Sequence, residues 1–126
     1  PIAFEHQEKI IYHCEKIGMK VIAFYVIGIE NDTHETVQAT LDYSKKLNTD
    51  FANFTICTPI PGTEFYDDIK DKINTDNYDI FDNFHTTFDH ENLSPEEIMR
   101  YQEKALVSYY FRPRYIYKYI KNKIFA

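Results

Sequence analysis

Two short segments hold most of the groups in this chain that could grip a ligand: Ile27-Gly28-Ile29-Glu30 and Cys57-Thr58-Pro59-Ile60-Pro61-Gly62-Thr63. Each closes an apolar run. Gly28 permits close backbone approach or an unusual φ, and a helix opening after Asp32 would offer free amides. The prolines of the second segment lack donors and restrict their predecessors. Strand-end carbonyls and the Thr58 hydroxyl are thereby left for a ligand. Main-chain groups so placed could hold a nucleoside; the plain alternative is a pair of well-made turns. Other constellations carry less. His6 and His13 lie two helical turns apart, too far for an i, i+4 metal pair. His85 and His90, with Asp82 and Asp89, read as polar surface more readily than as a metal site, and Asp67, Asp68 and Asp71 as the outer face of a helix. Cys14 and Cys57 lack C-x-x-C spacing and read as buried small hydrophobes. There is no G-x-S-x-G, phosphate-binding loop or dinucleotide fingerprint.

The elements that must position these loops follow from periodicity. Ile2 to Ile17 carries Ala3, Ile10, Cys14 and Ile17 on one helical stripe, with Gly18 where a left-handed cap is wanted. Lys20–Ile29 (KVIAFYVIGI) is a continuous apolar run, the pattern of a parallel strand buried on both faces. Asp32 and Glu35 are placed to form a capping box. Val37, Leu41, Ser44 and Leu47 then mark a helix ending near Asn48. Residues 51–57 (FANFTIC) form a second buried strand, and Thr63 caps a short helix through Asp71. Helix–strand alternation of this kind implies parallel strands joined by crossovers. The fold class is α/β: a partial βα, TIM-like barrel fragment with two parallel strands, followed by a C-terminal helical tail. Residues 1–73 form the half-barrel segment. Residues 74–126 hold an aromatic connection over 74–92, packed on the surface, and the C-terminal helices of the same structural unit. Ser94-Pro95-Glu96-Glu97 announces a helix with the stripe Ile98, Tyr101, Ala105 and Tyr109. Pro113 restarts the chain as a helix carrying Ile116, Ile120 and Ile124.

Composition bounds the partners. The 126 residues carry a formal charge of −6, which argues against nucleic acid or an anionic membrane as the main partner. Arg112, Arg114, Lys118, Lys121 and Lys123 read as a solvated face. Ten Phe and eleven Tyr with no Trp make the chain unusually aromatic. A Tyr-rich surface also fits a second reading, a non-enzymatic α/β protein-interaction module. No apolar run approaches a membrane span and no signal peptide is evident, so a cytoplasmic location is expected. The chain opens Pro-Ile-Ala without Met, and we expect it to be part of a longer polypeptide.

The stretch Phe24-Tyr25-Val26-Ile27-Gly28-Ile29-Glu30-Asn31-Asp32-Thr33-His34-Glu35-Thr36 resembles the F-x-I-G-x-P-G-E-T-x-E signature of radical S-adenosylmethionine enzymes. Thr58-Pro59-Ile60-Pro61-Gly62-Thr63-Glu64-Phe65-Tyr66 resembles the P-x-P-G-T-x-x-Y element of that family. Leu93-Ser94-Pro95-Glu96-Glu97 and Tyr109-Tyr110-Phe111-Arg112-Pro113 are similar to its L-S-x-E-E and F-Y-x-R-P patterns. The resemblance covers nearly the whole chain and is nearest to the cobalamin-binding-domain type, which includes methyltransferases and oxidative cyclases.

It implies that the strands are the fifth and sixth of a six-stranded partial barrel. Ile27, Gly28, Ile56 and Thr58 would then touch S-adenosylmethionine, mostly through backbone. Glu30 and Asn31 stand where that signature has Pro and Gly, which makes the first loop more acidic. The cluster motif C-x-x-x-C-x-x-C is absent, and two cysteines cannot supply three thiolates to a [4Fe–4S] cluster. The chain alone is therefore expected to hold no cofactor and to be inactive. S-adenosylmethionine, the cluster and possible cobalamin would belong to the parent. The expected partners are the missing N-terminal part of that parent and, for the piece alone, a second copy pairing through the exposed sheet edge.

Overall fold

The computed structural model describes residues 3–125, so the expected start of the first helix at Ile2 lies outside the described residues. The order is α1 (Phe4–Lys16), β1 (Ile22–Ile27), α2 (His34–Leu47), β2 (Phe51–Ile56), α3 (Glu64–Ile69), α4 (Pro95–Tyr110) and α5 (Pro113–Ile124), with single 3₁₀ turns at Lys70–Lys72 and Tyr78–Ile80. The strands pair in parallel, Ile22 opposite Phe51 through Ile27 opposite Ile56. The α/β class and the two parallel strands with C-terminal helices are those expected.

In a pleated pair, side chains alternate between faces. Ala23, Tyr25 and Ile27, with Ala52, Phe54 and Ile56, face α2 and α4 and build the core with Val37, Leu41, Ile98, Ala105 and Tyr109. Tyr25 stacks on Phe54, and Phe54 meets Tyr109 edge-on. The other face carries Ile22, Phe24 and Val26 beside Phe51, Asn53 and Thr55, and its large apolar side chains are exposed. The expectation of strands buried on both faces is therefore corrected. Helices cover one face, and no described element covers the other.

The two sheet edges are treated differently. Val21 and Ile27 carbonyls accept the Phe51 and Cys57 amides, so odd-numbered backbone groups form the ladder and even-numbered ones point outward. On β2 those outward groups are sealed. The Tyr110 hydroxyl accepts from the Ala52 amide at 3.0 Å and donates to its carbonyl at 2.8 Å. Buried Gln102 donates to the Phe54 carbonyl at 2.8 Å, and the Ile56 amide donates to the Asn83 carbonyl at 2.8 Å. On β1 the groups of Ile22, Phe24 and Val26 have no such partners among the described residues. A groove of about 570 Å³, walled in part by Phe4, Phe24, Val26 and Tyr43, lies beside these residues.

The seal is testable. Tyr110→Phe removes one hydroxyl but orphans a donor and an acceptor, so a loss of about 1–3 kcal/mol is expected in urea denaturation. The same variant should aggregate faster as β2 becomes a second open edge.

Three tyrosines of the tail, Tyr109, Tyr110 and Tyr115, work inward. Tyr109 donates to the Thr49 carbonyl at 2.7 Å and Tyr115 to the Asp50 carbonyl at 2.8 Å, and Tyr109, Tyr110 and Tyr115 pack together with centroids 5.0–5.4 Å apart. This cluster docks the tail on the start of β2, so it is not the outward surface that a Tyr-rich interaction module needs. Arg112 is likewise half-buried. It lies over the Tyr109 ring and donates to the Lys45 carbonyl and the Asn48 side chain, both at 2.7 Å.

Two expected apolar stripes are turned outward. Helix α1 has no buried residue, and Ile10 and Ile17 are exposed. In α5 the buried residue is Tyr115, while Ile116, Ile120 and Ile124 face away. The 74–92 connection is also not simply superficial. Thr87 and Phe88 are fully buried, and Phe88 bridges Ile73.

Candidate functional site

The carboxyl ends of β1 and β2 lie side by side, the place where parallel α/β units bind ligands. Gly28 ends β1 with φ +74°, a conformation that other residues adopt only with strain. Its turn is closed by Asp32, whose carboxylate accepts the Gly28 amide at 2.9 Å, the Ile29 amide at 3.0 Å and the Thr36 hydroxyl at 2.7 Å. This corrects the expected Asp32–Glu35 capping box. With Asp32 committed backward to the turn, the box moves one residue along to Thr33 and Thr36. The Ser94–Glu97 box at the start of α4 forms as expected.

The connection reaches the same turn from above. His90 Nε2 donates to the Gly28 carbonyl at 2.7 Å, and its Nδ1 is buried without a partner among the described residues. Its ring packs on Phe88 at 4.1 Å between centroids. His85 instead pairs with Asp82 on the surface. Ile98 of α4 closes in as well: a Cβ on Gly28 would meet its Cγ2 at 3.0 Å.

Of the candidate contacts, Ile27 and Ile56 place their side chains in the helix-covered core. Their strand-end backbone is also engaged. The Ile27 carbonyl accepts from Cys57 at 2.8 Å, and the Ile56 carbonyl accepts the Thr58 hydroxyl at 3.2 Å. Gly28 is buried and bonded at both its amide and its carbonyl. The half-buried Thr58 sits beside the buried Pro59. The side chains that do look out from the uncovered face are Ile22, Phe24 and Val26 with Phe51, Asn53 and Thr55, none of them a contact expected from the sequence. Period-two alternation could have found them, but the unbroken apolar run of β1 hides which face is which.

Cys57, just past β2, is free and half-buried. Burial, and secondarily the Asp32 carboxylate, push its thiol up to about 11. Thiolate is the species that attacks disulfides and binds metals, so this shift disfavours reaction at Cys57. In a Cys14→Ser background, its reaction with a disulfide reagent near neutral pH should run on the order of a hundredfold slower than that of a free thiol. Among the described residues no cluster of three or more His, Cys, Asp or Glu could hold a metal ion. None of the described helices is long and apolar enough to cross a membrane.

These features are two parallel strands with one sealed edge, one open edge and tight strand-end turns. No protein-family model matches the chain. It is 32% identical over 106 residues to an uncharacterized methyltransferase of Pyrococcus horikoshii, which covers 82% of this chain and 23% of that protein. It is 24% identical over 95 residues to bacteriochlorophyllide d C-12(1)-methyltransferase of Chlorobaculum tepidum, covering 75% and 21%. It is 29% identical over 69 residues to anaerobic magnesium-protoporphyrin IX monomethyl ester cyclase of Rubrivivax gelatinosus, covering 55% and 12%. The chain thus spans less than a quarter of the length of the curated relatives it matches. It is related to a segment of two methyltransferases and a cyclase.

Proposed function

We propose that this chain is the later part of the βα barrel, with its helical tail, of a radical S-adenosylmethionine enzyme of the methyltransferase or cyclase kind. The reading is supported chiefly by the contrast between the sheet edges. The sealed edge of β2 suits a last strand. The open edge of β1, with an apolar face that nothing described covers, suits a strand awaiting a predecessor. The motif resemblance and the relatives, several times longer than this chain, point the same way.

In this reading the uncovered face lines the barrel. Gly28 and Thr58, with the backbone at Ile27 and Ile56, form part of the wall around S-adenosylmethionine. The cofactor would supply the radical chemistry when bound. This chain's residues would shape and dry one side of the site, with Asp32 and His90 holding the Gly28 turn in place. The residues present do not fit the iron–sulfur cluster: there are two cysteines, fewer than the three thiolates it requires. In this reading the cluster ligands would come from another part of the parent polypeptide.

The test is the longer reading frame. A C-x-x-x-C-x-x-C motif roughly 90–120 residues upstream of Pro1, the length of a few βα units, is expected. The full polypeptide, reconstituted with iron and sulfide and reduced, should cleave S-adenosylmethionine while the 126-residue chain does not. An upstream frame without the motif, or cleavage by the short chain alone, would overturn the proposal. The short chain should also pair with a second copy through β1, and a monomer in light scattering at high concentration would count against that part.

A further inference from the structure

We propose that helix α5 is an interfacial helix that lays its outer face on an anionic lipid bilayer. On a 3.6-residue turn, Tyr115, Lys118 and Asn122 share one side. That side holds the protein: Tyr115 is buried, Lys118 donates to the Asn48 carbonyl at 2.6 Å, and Asn122 reaches Asp50. The opposite side carries Ile116, Tyr117, Ile120 and Ile124, exposed by 42, 70, 48 and 67%. Arg114 and Lys121 border this stripe on one flank and Lys123 on the other. None of these three cations forms an ion pair among the described residues.

Charge selects the occupant. Helix α5 contains four basic residues and no acidic one, so the remainder of the chain carries a formal charge of −10. The overall charge of −6 suggests no affinity for anionic lipid only if the charge is spread evenly, and it is not. An acidic body repelled from a negative surface, with one basic helix attracted to it, is driven to dock by that helix alone. The centres of protein–protein interfaces are depleted of Lys. Here lysines straddle an apolar stripe, where their stems can lie along it while the ammonium groups reach phosphates. Tyr117 adds an apolar ring with a polar tip, suited to the headgroup boundary.

The chain has no Trp, so Tyr117→Trp supplies a single reporter on the stripe. With vesicles of phosphatidylcholine containing about 30 mol% phosphatidylglycerol at low salt, the chain should float with lipid and its emission should shift to the blue. With pure phosphatidylcholine, or in about 0.5 M salt, both effects should vanish. Lys121→Gln with Lys123→Gln should weaken partitioning about 25-fold, at about fivefold per cation. Ile120→Ser with Ile124→Ser, at exposed positions that leave the fold intact by circular dichroism, should weaken it comparably. The proposal is overturned by failure to float with the anionic vesicles or by binding that neither double variant changes. It is equally overturned by a reporter already shielded without lipid in a dimer, which would make the stripe a protein interface.

Discussion

Phe54→Ala should lower the free energy of unfolding by about 3–5 kcal/mol, the usual range for deleting a buried aromatic, whereas Phe24→Ala should change it by no more than about 0.5 kcal/mol. Both residues lie at inner positions of six-residue strands. Phe54 is 1% exposed, stacked on Tyr25 at 5.1 Å and set edge-on to Tyr109 at 6.0 Å. Phe24 is 69% exposed on the opposite face. Since a domain is stable by only about 5–15 kcal/mol in total, the first substitution should leave much of the chain unfolded. Urea titrations followed by circular dichroism separate the two. Equal losses would mean that the face assigned to the barrel interior is already covered in the chain alone. If the proposed barrel holds, the ranking should tighten in the longer polypeptide, because Phe24 would then be buried by a neighbouring strand or by ligand.

Gly28→Ala should cost about 2–5 kcal/mol, of which about 1–2 comes from forcing a Cβ residue into left-handed backbone and about 1–3 from overpacking. The backbone sits at φ +74°, and the added carbon would press on Ile98 Cγ2 at 3.0 Å. The packing part is separable. Ile98→Ala is itself destabilising, but together with Gly28→Ala it should cost less than the sum of the two, because the crowding is gone. The backbone strain remains. A coupling energy of zero in the four-member cycle would show that the turn shifts instead of pressing on Ile98. Such a shift should also break the Gly28–His90 hydrogen bond, which a change in the His90 ring signals would report.

The local rules were legible in the chain. The end of α2 near Asn48, the Thr63 and Ser94 caps and the order of the helices and strands follow from nearest-neighbour chemistry and appear as expected. The inward stripe of α2, Val37, Leu41 and Ser44, does too. Periodicity states that a helix has an apolar stripe but not whether this molecule supplies the surface that covers it. That is why Ile10 on α1 and Ile116, Ile120 and Ile124 on α5 can be read as apolar stripes and still lie exposed. The run from Val21 to Ile27 has the same ambiguity. It is written for two covered faces, and the described structure provides one.

What the sequence by itself determined was the alternation of helix and strand and the strand-end punctuation at Gly28 and Thr58-Pro59, because φ restrictions, missing donors and capping hydroxyls act over a few residues. Only the tertiary structure decided that Asp32 braces the Gly28 turn while Thr33 caps α2, and that His90 ties down the carbonyl of residue 28 from 62 positions away. It also decided that Tyr110 and Gln102 close one edge while the other stays open. Each of these depends on which backbone groups are left over once the sheet has formed. That remainder exists only in three dimensions.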